Sequence, residues 1–285
     1  MNRTIDDFRR ALSFNFPLVL DCLSPIAFAQ CSPWDKEEGY LENLVEMAKL
    51  LKDRLEKSTT PQMTGGYSLR IDYAKMHKRI FVDYSLSGQK ETCEIGDVLI
   101  VSKYVEPSRI VSRHVSFLQV KSQEKGVRQR QWHIDTVQSS LYAHWPEIEE
   151  CYVGRGDNRT RLFDRLKIQP KNRLFSPYLM IGKDAPFPMT CCEGPFSWIT
   201  GADLVNEVSR NSSHMRGPLE LPFLSFLIQM VFQTSGERDI INDRSENASV
   251  RKAVDAILKY AELHDPPQGE GRPFMAISFT LKAID

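Results

Sequence analysis

Two short runs decide the fold: Asp97-Val-Leu-Ile-Val101 and Val115-Ser-Phe-Leu-Gln-Val-Lys121. Both are rich in Val, Ile, Leu and Phe, and a polar connection with the turn formers Pro107 and Ser108 separates them. That pattern predicts two adjacent buried strands. Residues two apart on a strand share a face, so Gln119 and Lys121 point one way and Leu118 and Val120 point the other, into packing. If the strands pair, Asp97 lies beside the Gln119 and Lys121 face. A carboxylate, an amide oxygen and an ammonium then converge on one spot. Mg²⁺ takes oxygen ligands and keeps several waters. Asp97 and Gln119 offer such oxygens, and the Val120 carbonyl adds a third. Lys121 would act on an attacking water or on charge building at a phosphate, which suits metal-assisted phosphodiester hydrolysis. The plainer reading of the same residues is a turn capped by Asp97 and a strand end with a solvated face.

The chain has 285 residues, enough for one large domain or two small ones. Its 41% hydrophobic and 26% charged content is that of an ordinary soluble globular protein. Lys plus Arg equals Asp plus Glu, 37 against 37, so any nucleic-acid contact must come from a local basic patch. The six cysteines show no CxxC spacing and none pairs with a histidine at zinc-like intervals, so reduced thiols are expected. The six histidines form no motif either. Charges at Asp6, Asp7, Arg9 and Arg10, and Pro17 inside the first apolar run, predict neither a secretory leader nor a membrane span. Cytoplasm is the expected compartment.

Residues 1–36 read as a Pro-punctuated arm. Leu41, Leu44, Val45, Ala48, Leu51 and Leu55 predict a helix over 37–57 with Asp35 as its cap, and Glu42 and Glu46 share one flank of it. Alternation over Tyr67–Tyr73 and Ile80–Leu86 predicts two strands paired as a hairpin turning near 75–78. After Lys121, a basic connection with Lys125, Arg128 and Arg130 leads into an expected helix over 130–145, stopped by Pro146. Gln138 and Tyr142, four apart, share a flank of that helix. Ile148–Val153 and Tyr178–Ile181 are short strand candidates, one of which should close the core sheet. Between them, 155–173 reads as a basic loop in which Arg159 and Arg161 are candidate phosphate contacts. Residues 186–198, rich in Pro, Cys and Gly, mark a linker. Helices are expected over 199–209, 219–232 and 246–263, and a last strand over 274–281.

Asp97, then Gln119-Val120-Lys121, then Gln138-Ser-Ser-Leu-Tyr142 resembles the PD-(D/E)xK nuclease superfamily, over roughly residues 37 to 185. Gly-Asp followed by Gln-Val-Lys is similar to Mrr-like and Holliday-junction-resolvase-like members, and Gln-x-x-x-Tyr to the RecB-like branch. Two departures stand out: Gln119 replaces the usual acid of the second motif, and Gly96 rather than Pro precedes Asp97.

The resemblance implies an α/β, restriction-endonuclease-like core, a mixed central sheet flanked by helices, over 37–190. A mostly helical extension over 196–285 would pack on it. It implies a DNA nuclease using Mg²⁺ or Mn²⁺, with RNA left open as substrate. Such a nuclease would be the effector of a restriction, repair or phage-defence system, working as a homodimer or beside a separate ATPase or sensor. Asp97, Gln119 and Glu46 (or Glu42) would hold the metal, Lys121 would work on the water or phosphate, and Gln138 and Tyr142 would hold Lys121 or the substrate strand. Lys125, Arg128, Arg130, Arg159 and Arg161 would contact nucleic acid. The alternative is a nuclease-fold relative without catalysis, serving as a nucleic-acid-binding or protein-interaction module.

Overall fold

The computed structural model describes residues 62–63, 66–76, 78–122, 131–167, 178–181, 187–189, 198–200, 248–263 and 274–284, together with Asp7, Leu41, Lys49, Lys52 and Asp53. Thirteen strands and two longer helices are described. In chain order they are β1 (Gln62–Met63), β2 (Tyr67–Met76), β3 (Ile80–Leu86), β4 (Gln89–Glu94), β5 (Val98–Glu106), β6 (Arg109–Ser122) and β7 (Gln131–His133). Then follow α1 (Thr136–His144), β8 (Ile148–Val153), a 3-10 turn at Gly156–Asn158, β9 (Thr160–Leu166), β10 (Tyr178–Ile181), β11 (Phe187–Met189) and β12 (Trp198–Thr200). The helix α2 (Ala248–Leu263) and the strand β13 (Phe274–Ala283) complete the set.

The class is α/β with strands predominating. A seven-stranded sheet runs β1-β2-β13-β5-β6-β10-β11, a four-stranded sheet runs β4-β3-β8-β9, and β12 pairs with β7. The large sheet is mixed: β13 lies parallel to β5 and β10 parallel to β6, while its other pairs are antiparallel.

The β5–β6 hairpin turns at Pro107 and Ser108, as expected, and its register sets Val98 opposite Leu118. Both faces of this hairpin are buried, which explains the unbroken apolar run Val98–Val101. Tyr178–Ile181 is the strand that continues the sheet beyond β6, with Tyr178 opposite Gln119.

Four expectations are corrected. β2 and β3 do not pair; β2 joins β13 in the large sheet and β3 joins β4 and β8 in the small one. Residues 160–166 of the expected basic loop form β9. The helix after the basic connection starts at Thr136 rather than near 130, because the Asp135 carboxylate accepts from Val137 N and Gln138 N and residues 131–133 pair as β7. It ends at Trp145, whose left-handed backbone (φ 42°) closes it one residue before Pro146. Residues 198–200 are strand, which removes the start of the expected helix over 199–209.

Of the expected helix over 37–57, the described residues Leu41, Lys49, Lys52 and Asp53 are helical and Leu41 is buried. The rest of it and the expected helix over 219–232 lie outside the described residues. The expected helix over 246–263 is α2, and its Ala253, Val254, Ile257 and Ala261 share one core with Leu141 of α1, Phe117 of β6 and Val82 of β3. The expected final strand, β13, is built between β2 and β5, so strands from both sides of residues 190–196 share one sheet. Among the described residues, no helix is long and apolar enough to cross a membrane.

Candidate active site

The register of the β5–β6 hairpin carries Asp97 to a position beside Gln119. Asp97 N donates to Leu118 O at 2.9 Å, and Asp97 O accepts from Met275 N at 2.9 Å, so the backbone is tied to β6 on one side and β13 on the other. Its side chain turns back along β6: Oδ2 accepts from Val120 N at 2.8 Å and also from Gln119 Nε2. Asp97 is 5% exposed and Gln119 1%. The carboxylate thus meets two donors in a water-poor place, where charge-assisted hydrogen bonds are strongest.

The helix α1 completes the cluster. Gln138 and Tyr142, on one flank at i and i+4, both reach down onto the turn before β5. Gln138 Nε2 donates to Gln119 Oε1 and to the Glu94 carbonyl at 3.1 Å. Tyr142 Oη donates to the Ile95 carbonyl at 2.9 Å. The Tyr142 ring stacks on Trp145 at 6.0 Å and lies 5.3 Å from the Tyr178 ring, which holds the phenol in place from its apolar side. Gly96 makes this approach possible: its φ is +154°, and a Cβ there would lie 3.1 Å from Tyr142 Oη.

The expected set is therefore brought together at Asp97, Gln119, Gln138 and Tyr142. Lys121 follows Gln119 by two residues on the same strand face, half-buried, with its backbone opposite Met180 of β10. Gln138 and Tyr142, expected to hold Lys121 or the substrate strand, bond to Gln119, Glu94 and Ile95. Glu46, Glu42, Lys125, Arg128 and Arg130 lie outside the described residues.

Arg161, on β9, and Arg159, just before that strand, are engaged by acids. Each has a nitrogen 3.5 Å from a Glu150 oxygen, Arg161 also pairs with Asp164, and the Arg159 guanidinium sits 5.1 Å above the Tyr152 ring. Of the two, Arg161 stands on a strand rather than in the basic loop expected, and Arg159 remains in the connection that precedes it.

Three participants escaped the sequence reading. The Glu94 and Ile95 carbonyls and the Val120 N–H are backbone groups, which no residue pattern marks. The Glu94 carboxylate, three residues before Asp97, pairs with Arg79.

The donor set can be tested against Mg²⁺. Among the described residues there is no group of three or more His, Cys, Asp or Glu able to hold a metal ion. Asp97 supplies one carboxylate. Gln119 faces it with Nε2, a donor, and its oxygen is turned to Gln138. The Val120 carbonyl already takes Gln119 Nε2 at 3.3 Å. In this arrangement the residues do not fit a divalent cation, because a carboxamide nitrogen, its lone pair delocalised into the carbonyl, presents only N–H donors. A half-turn of the Gln119 amide would bring its oxygen to the Asp97 side.

No family model, no curated protein and no solved structure matches this chain. The fold and the cluster define its class: an α/β protein with a mixed sheet whose β5–β6 end carries a buried Asp-Gln-Gln-Tyr network next to a lysine.

Proposed function

We propose that the chain is a divalent-metal-dependent nuclease that hydrolyses DNA phosphodiester bonds. What supports the reading is one observation: Gln138 and Tyr142, from a helix later in the chain, converge on the turn before β5 at which Asp97 meets Gln119. Lys121 stands one step further along that strand face, where an ammonium neutralises charge on a phosphate or orients a water. Mg²⁺ or Mn²⁺ is the cofactor this reading requires; Asp97, with the Gln119 amide oxygen turned towards it, would hold the ion, which would supply Lewis-acid activation of the phosphate or water. DNA is the proposed substrate and RNA the comparison substrate.

A second reading has its own support. Gln119 gives its N–H to Asp97, as a purely structural network would. In that case the chain is a nuclease-fold relative that binds nucleic acid or a protein partner without cleaving.

Cleavage of linear and circular DNA with Mg²⁺ or Mn²⁺ separates the two. The wild type is run against Asp97→Ala and Lys121→Ala, each checked for folding by circular dichroism. The nuclease reading expects metal-dependent cleavage in the wild type and a drop of about a hundredfold or more in both variants. DNA retention without cleavage favours the binding relative, and cleavage equal in all three forms removes the site.

A further inference from the structure

The sheet face that carries Gln119 runs back along β6 to Arg113, about 20 Å away at the usual strand rise. Arg113 is 4% exposed. Alternation puts it on the face of Val115 and Phe117, which share a core with α2, and Arg113 Nη1 donates to Asp255 Oδ1 of that helix at 2.7 Å. Its Nε and Nη2 are buried with no acceptor among the described residues. Those two nitrogens form one edge of the guanidinium, the fork whose parallel N–H groups match two oxygens of one anion. Asp255 is 59% exposed and meets the opposite side of the group. A buried guanidinium with half of its donors unmatched is costly until an acceptor takes them.

The neighbours of Arg113 on that face are donors as well. The register sets Arg113 opposite Lys103 of β5, and Lys103 opposite Thr280 of β13. Next along β13 on the same face is Ser278, 8% exposed, whose Oγ also has no partner among the described residues. Adjacent strands stand about 5 Å apart, so these four side chains border one small area. The acids at this end are turned elsewhere: Asp255 takes Arg113 Nη1, and Asp72, opposite Ser278, pairs with Arg70. We propose that Arg113 and Ser278, with Lys103 and Thr280 beside them, bind a phosphate group, as the free ion or as the end of a phosphomonoester. The fork takes two oxygens of the anion, and the ammonium and the hydroxyls are placed to take the others. Two cationic groups with two hydroxyls suit a tetrahedral anion carrying more than one charge better than a carboxylate, which has only two oxygens to offer. This site is separate from Asp97 and stands whether or not the chain cleaves DNA.

The test is titration calorimetry of the intact chain with inorganic phosphate and, separately, with glycerol phosphate, with acetate as the carboxylate control. Phosphate also stabilises proteins by exclusion from their surfaces, so a raised melting temperature alone does not count; a saturable heat at one site per chain does. Arg113→Lys keeps the charge opposite Asp255 and removes the fork. It is expected to weaken phosphate binding about tenfold or more. Ser278→Ala removes a hydroxyl that has no bond to lose, so it keeps the fold, and is expected to weaken binding roughly three- to tenfold. Asp255→Asn removes the acid that competes for the guanidinium and is expected to tighten it. Binding of either phosphate source that weakens in this way supports the site, and the tighter of the two names the source. Acetate binding as tightly as phosphate overturns the phosphate assignment. No saturable heat with either phosphate source, or equal binding by wild type and the folded Arg113→Lys and Ser278→Ala variants, overturns the site. In that case water satisfies the fork, and Arg113 serves only its pair with Asp255.

Discussion

A Cβ at Gly96 would lie 3.1 Å from Tyr142 Oη and 3.3 Å from the Leu118 carbonyl oxygen, on a backbone with φ of +154°. Glycine is the residue that tolerates both the torsion and the approach. Gly96→Ala is therefore expected to cost about 1–3 kcal/mol of stability, the usual range for a residue forced into a sparsely populated backbone region. Urea denaturation reads it, and a variant as stable as wild type would show that the turn before β5 relaxes freely. The same site shows what side-chain identity can and cannot say. Asp97, Gln119, Gln138 and Tyr142 were legible because strand period and helix period fix which side chains share a face. The direction of the Gln119 amide was not, since Gln contains both an oxygen acceptor and an N–H donor. Its orientation depends on the Glu94 carbonyl, a group every residue carries.

At the scale of elements, the four-stranded sheet was the least legible part. β4, Gln-Lys-Glu-Thr-Cys-Glu, and β9, Thr-Arg-Leu-Phe-Asp-Arg-Leu, are the two edges of that sheet, and polar edge strands look like loops in a sequence. Their inner neighbours bury Tyr84 and Cys151, and β4 itself buries Cys93. Burial is the main cause that raises the proton affinity of all three, from ordinary values of 9.0 for the thiols and 10.0 for the phenol. Nearby carboxylates add to it, Asp135 among them for Tyr84 and Cys93. The sign follows directly. Below the unfolded thiol value both states hold the proton, and the contribution to stability is fully present. As pH rises through 9.0 and then 10.0 the unfolded chain releases protons that the fold retains, so stability is lost. The urea midpoint is expected to hold level from pH 7 to the ordinary thiol value and to fall above it. In Cys93→Ala/Cys151→Ala the first part of that fall should shrink. An identical pH profile in the double variant would mean that the thiols do not contribute.

For the whole molecule, β13 is the strand that joins the chain's distant parts. It lies antiparallel to β2 along all ten of its residues and parallel to β5 from Met275 to Lys282. Its alternating polar residues suggested a final strand, which it is, yet its burial pattern is continuous over Phe274–Phe279. Periodicity tells strand from helix, but it does not say which strand will be the neighbour. β2 and β3 were expected to pair because consecutive strands usually do. Here the partner of β2 comes from the far end of the sequence, and β3 leaves for the other sheet. A central strand has ladder bonds on both edges, so proline is expected to be far more damaging at its middle than at its end. Ala276 pairs with Ala74 on one side and Leu99 on the other, while Ala283 pairs only with Tyr67. Ala276→Pro should abolish the cooperative urea transition and Ala283→Pro should only shift it. Equal and small shifts in the two variants would mean that β13 does not hold the two halves of the sheet together. Loss of the transition in Ala276→Pro alone would also tie the site to it, since Met275 N is the donor that anchors the Asp97 carbonyl.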